Sequence, residues 1–100
     1  MNLIEETYIA VVDDTFQITG RGCVLTFKMS DFPSDLTLRA GDRIAVYPPA
    51  GERIETSIRG IEYGRSARSD FVGVPVGLDL DKSAIPIGSK LHWIAAAPHA

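Results

Sequence analysis

A chain of 100 residues, 45% apolar and 23% charged, can bury a core of its own and lies outside the composition of disordered segments. Its net charge of −3 has the wrong sign for a general nucleic-acid binder, whose phosphate contacts need a basic surface. A single cysteine, Cys23, excludes an internal disulfide, no stretch approaches the roughly 20 apolar residues of a membrane helix, and the acidic start M-N-L-I-E-E-T is unlike a signal peptide, so a cytoplasmic setting is expected.

Thr7 to Val12 (T-Y-I-A-V-V) is rich in β-branched and aromatic residues and predicts a first strand. Asp13 and Asp14 interrupt it and mark a bend or bulge. Phe16 and Ile18 then share one face of an incoming strand, and Cys23, Leu25 and Phe27 share one face of an outgoing strand that ends near Met29. Between them, Gly20-Arg21-Gly22 suits a tight reversal, because glycine adopts backbone angles closed to other residues. S-D-F-P-S-D-L-T-L breaks any regular pattern and predicts a loop with one helical turn started by Ser34 or Asp35.

Leu38 to Arg43 reads as a turn feeding a strand from Arg43 to Tyr47, and Pro48-Pro49-Ala50-Gly51 as the turn that ends it. From Arg53 to Tyr63, Ile54 and Ile58 share one face while Ile61 and Tyr63 have the opposite parity. The switch falls at Gly60, which predicts a bulge or sharp bend of the kind a barrel needs at its corners. Gly64 to Asp70 is short and polar. Val72, Val74, Val76, Leu78 and Leu80 then occupy every second position, a half-buried strand, with Pro75 pointing to an edge or bulge. A loop from Asp81 to Gly88, a last strand from Ser89 to Ile94 and a loose tail complete the chain. Six or seven short strands, with no helix of ten residues, no repeat and no linker, predict an all-β barrel or sandwich over 1–100 as one domain.

No catalytic constellation accompanies these elements. No serine lies in a G-x-S-x-G context, and His92 and His99 are unsupported as a metal site or a catalytic pair. His92 reads as a half-exposed strand residue. Asp13 and Asp14 are adjacent, so on a strand they point to opposite faces and cannot readily share an ion. Cys23 alternates with Leu25 and Phe27 and reads as a small core residue. Arg53, Arg59, Arg65 and Arg68 outnumber Glu55 and Glu62 in their stretch, a small excess that reads as a solvated strand face. Neither an enzyme nor a cofactor or metal site is expected.

The stretch V-D-D-T-F-Q-I-T-G-R-G-C-V-L-T, residues 12–26, resembles the opening of the second domain of translational GTPases of the elongation factor Tu type. L-R-A-G-D-R-I-A-V-Y-P, I-R-G-I-E-Y-G-R, V-G-V-P-V-G-L and I-P-I-G-S-K-L resemble that domain's later strands, in the same order. The resemblance covers roughly residues 8 to 94, and its first element is the specific one. It implies a closed six- to seven-stranded antiparallel β-barrel. It also implies a pocket on the outer barrel surface, where that family holds the 3′-terminal adenosine of aminoacyl-tRNA. Glu62 and Arg65 match the Glu-x-x-Arg pair beside the pocket, and Asp13, Phe16, Arg21 and Thr26 match hairpin positions that border it.

The chain departs from the family in several places. Cys23 stands for a threonine, Phe27 for a glycine and Phe71 for a common asparagine, and no G-x-x-x-x-G-K-[ST] loop is present to bind GTP. The expected function is a non-catalytic binding module acting through its outer surface on a protein or an RNA-end partner. The alternative is a structural or regulatory protein-interaction domain, or a mimic of a translation factor, with no RNA binding. Glu62 and Arg65 could hydrogen-bond a ribose or phosphate, or form a surface ion pair. Arg21 could touch a partner, or brace its own turn.

Overall fold

Two four-stranded antiparallel sheets carry the chain. The computed structural model describes residues 4–20, 22–65, 70–77 and 80–96. Its strands are β1 (Ile4–Val11), β2 (Asp14–Ile18), β3 (Gly22–Lys28), β4 (Arg43–Tyr47), β5 (Ile54–Ser57), β6 (Glu62–Arg65), β7 (Asp70–Pro75) and β8 (Lys90–Ala96). One sheet has the order β1-β8-β4-β5 and the other β2-β3-β7-β6. No helix among the described residues is long and apolar enough to cross a membrane.

The β2–β3 hairpin forms where the two alternating runs predict it. Ile18 pairs with Gly22, leaving a three-residue tip, and Gly20 and Gly22 both sit at φ +79°, in the left-handed region that glycine alone enters freely. Period two then sorts the side chains. Cys23, Leu25 and Phe27 are fully buried, while Phe16 and Ile18 face outward and are exposed. Val72, Val74 and Val76 obey the same rule, and all three join one core cluster with Ile44, Val46 and Leu91 from the other sheet and with Ile58 and Ile85.

Two seams join the sheets, and each explains a break in the sequence pattern. At Val12–Asp13 the chain leaves the first sheet for the second. Val12 N–H donates to Ser89 O (2.7 Å), Gly88 N–H to Val12 O (3.0 Å) and Asp13 N–H to Thr26 O (2.8 Å). The bend expected at the paired aspartates is this crossing, and the β-bulge lies earlier, between Tyr8 and Ala10. The second seam is at Ile58–Arg59, where Ile58 bridges to Val76 and Arg59 N–H donates to Pro75 O (2.8 Å). The parity switch near Gly60 therefore separates two strands in different sheets, β5 and β6, rather than bending one.

Other expectations need correction. Among the described residues eight strands are present where six or seven were predicted. The ladders end at β1 and β5 in one sheet and at β2 and β6 in the other, so among the described residues they do not run on into one closed barrel ladder. Pro75 is not on an edge strand, since β7 lies between β3 and β6. It occupies the last position of β7, where the missing N–H does not break the ladder. Ser34 and Asp35 do lie in a turn, but it is not helical, and the helical turn of this loop forms earlier, as a 3-10 turn at Met29–Asp31 closed by Phe32 N–H to Met29 O (3.1 Å). Phe32 packs edge-on against buried Phe27, with ring centroids 5.6 Å apart, which anchors the turn directly after β3. A second 3-10 turn, Lys82–Ala84, interrupts the loop before β8.

Candidate functional site

The residues singled out by sequence fall mostly on the β2-β3-β7-β6 sheet. Partners in an antiparallel ladder share a face, so the register defines rows across it. Asp14, Thr26, Gly73 and Glu62 make one outward row, and Phe16, Val24 and Pro75 make the next. Gly73 has no side chain between Thr26 and Glu62. A Cβ there would lie 3.6 Å from Val24 Cγ1 and 3.7 Å from Glu62 Cβ, so those two groups wall the gap. Phe16 lies across Val24 from it, in the next row and two strands away, 48% exposed.

Thr26, Glu62 and Phe16 therefore come together on one face. Thr26 contributes less chemistry than its type suggests. It is buried, and its hydroxyl donates to Asp14 O (3.2 Å), which braces the hairpin. Asp13 lies at the seam, its N–H bound to Thr26 O, and its side chain is exposed. Arg65 does not join Glu62. Three residues apart on one strand, the two point to opposite faces. Arg65 Nε instead donates to Asp70 Oδ1 (3.1 Å) across the β6–β7 ladder. The pairing of Glu62 with Arg65 in one pocket thus fails for a reason of strand geometry. Arg21, the remaining sequence candidate, lies outside the described residues.

In the following row, Lys28 pairs with Phe71 and Phe71 with Gly64. The Phe71 ring lies over Gly64 so closely that a Cβ would overlap its Cζ and come within 2.6 Å of Cε1. Glycine at 64 is what leaves room for the aromatic ring at position 71. Beside it Tyr63, on the edge strand, is 74% exposed.

The first sheet carries a cluster that sequence reasoning missed. Glu6 Oε1 accepts a hydrogen bond from the Tyr47 hydroxyl (2.6 Å), and Glu6 Oε2 accepts one from Arg53 Nη2 (3.0 Å). Arg53 Nε donates in turn to the Tyr47 oxygen (3.2 Å). The His92 ring sits between Tyr8 and Tyr47, edge-on to both at 5.6 and 4.7 Å. Its Nδ1 lies 3.8 Å from Glu6 Oε1 and is buried without a hydrogen-bond partner. The Tyr47 hydroxyl, and next the Arg53 guanidinium, hold the Glu6 carboxyl below its ordinary range, against the opposing effect of burial. The same contacts, Tyr47 first and then Glu6, raise Arg53. A carboxylate held anionic by two donors is a clamp and a poor proton acceptor. These partners are 41 and 47 residues apart, so no local spacing announces them.

Cys23 is buried as its alternation predicts, and burial pushes its thiol up, away from the reactive thiolate form. Among the described residues no group of three or more His, Cys, Asp or Glu is placed to hold a metal ion. No family model matches the chain, and no solved structure matches it.

Proposed function

We propose that this chain is a non-catalytic binding module of the translation-factor second-domain type, which engages a protein partner through the outer face of its β2-β3-β7-β6 sheet. One observation carries the reading. Phe16 is exposed on that face, in the row of Val24, which separates it from the gap left by Gly73 and walled on the far side by Glu62. An exposed aromatic on the outer face of a sheet is a common anchor in protein interfaces. The order of sequence motifs from residue 8 to 94 and the two seams that bring the sheets together support the barrel form of the fold. A protein partner is favoured over an RNA end because the chain carries a net charge of −3 and Arg65 is paired with Asp70.

The test is capture of partners by the folded wild type and by Phe16→Ser, which alters an exposed side chain. A partner retained by the wild type and lost by the variant supports the reading. Retention by both sinks it. A parallel titration with tRNA should show no saturable binding. Binding that falls steeply with salt and with Arg65→Ala would replace the protein partner by an RNA end.

A further inference from the structure

A cleft of about 460 Å³ opens between the turn that follows β4 and the loop that precedes β8. Pro48 and Pro86 line its two sides, Ile54, Ala50 and Ala84 add apolar surface, and Glu52 stands among them. Proline and alanine have no rotamers to freeze, so an occupant meets a surface already in its bound form. Both sides are held in place. Gly51 N–H reaches Pro48 O (3.5 Å), Ala84 N–H donates to Asp81 O (2.9 Å), and the Ser83 hydroxyl donates to Asp81 Oδ2 (2.8 Å).

Charge distinguishes the cleft from a plain apolar dent. Glu6 and Glu55 are both engaged by arginines. Glu52, exposed in the lining, forms no hydrogen bond or ion pair among the described residues. Asp81, bonded to the lining residue Ser83, adds a second carboxylate close by. Lys82 belongs to the same 3-10 turn but does not line the cleft.

We propose that this cleft docks a short segment of a partner protein in which an arginine or lysine is flanked by apolar residues. The aliphatic stem lies on Pro48, Ile54 and Pro86, and the cationic head meets the Glu52 carboxylate. The net charge of −3 favours the approach of such a segment. This surface is separate from the Phe16 face, and the two readings fail independently.

The test is a titration of isotope-labelled full-length protein at low salt with acetyl-Leu-Arg-Leu-amide and, separately, acetyl-Leu-Glu-Leu-amide. The arginine peptide should shift the Gly51, Glu52 and Ala84 amides saturably, and the glutamate peptide should not. Glu52→Gln should weaken the arginine peptide about threefold to fivefold, the scale of an exposed charge pair. Phe16→Ser should leave it unchanged. An equal response to both peptides, no saturable shift, or no effect of Glu52→Gln overturns the proposal. So do shifts at Gly51 and Ala84 that grow with protein concentration alone, which would assign the cleft to a second copy of the chain.

Discussion

The Tyr47 hydroxyl on β4 bonds to the Glu6 carboxylate on β1 at 2.6 Å, reaching across the whole intervening strand β8. It passes the His92 ring on the way, 4.7 Å between centroids, and meets the same carboxylate that Arg53 grips from the turn before β5. One edge strand and one turn are thereby fastened to the centre of the sheet.

Tyr47→Phe keeps the ring and removes the hydroxyl, so it tests the bond alone. The expected cost is about 1 kcal/mol in urea unfolding at pH 7, the scale of a hydrogen bond to a partly solvated charge. Tyr63→Phe is the control, since that side chain is 74% exposed, and it should change stability by less than about 0.5 kcal/mol.

The same contacts give stability a pH dependence. Tyr47 and then Arg53 depress the Glu6 carboxyl in the folded state, so the unfolded chain takes up this proton first as pH falls. The contribution is present above the ordinary carboxylate range, near pH 4.3. It is lost as pH drops through and below the folded value. The difference in unfolding free energy between wild type and Glu6→Gln should therefore shrink steadily from about pH 5 downward. A difference that stays constant to pH 3 would contradict it.

Gly64 and Phe71 should be coupled. Gly64→Ala puts a Cβ where the Phe71 ring lies, and overpacking of this kind costs about 1–3 kcal/mol. In a Phe71→Ala background the same change should be neutral or stabilising, since the ring is gone and alanine suits a strand better than glycine. A double-mutant cycle reads the coupling directly, and additive effects would argue against the contact.

The β2–β3 hairpin offers a test of which face is inside. Leu25→Ala removes a fully buried side chain and should cost about 2–5 kcal/mol. Phe16→Ala, on the outward face of the paired strand, should cost about 1 kcal/mol or less despite the larger side chain.

Cys23 reports on opening. Buried, with its thiol pushed up by desolvation and secondarily by Asp81, it should resist a thiol reagent in the native protein and react in urea. Its labelling rate should rise in Leu25→Ala in step with the loss of stability. Rapid labelling of the native wild type would show that the strand is not held as described.

Much of the all-β character was legible because its causes are local. Cys23, Leu25 and Phe27 alternate, Val72, Val74 and Val76 alternate, and glycines at 20 and 22 permit the reversal between β2 and β3. The parity switch at Gly60 was legible as a break, but not as a change of sheet, because a break looks the same whether a strand bends or leaves. The Glu-x-x-Arg spacing of Glu62 and Arg65 suggested one site, yet spacing three on a strand sends the two side chains to opposite faces once the chain there is extended.

By itself, then, the sequence determined most of the strands, the tight hairpin and the alternating core residues Cys23, Leu25, Phe27, Val72, Val74 and Val76, since period two and glycine's backbone freedom act over a few residues. The tertiary structure alone decided that Thr26, Gly73 and Glu62 share a row and that Arg65 pairs with Asp70. It also decided that Glu6, Tyr47, Arg53 and His92 meet on one face. Those groupings depend on which strands become neighbours and in what register, and that choice belongs to the packing of the whole chain.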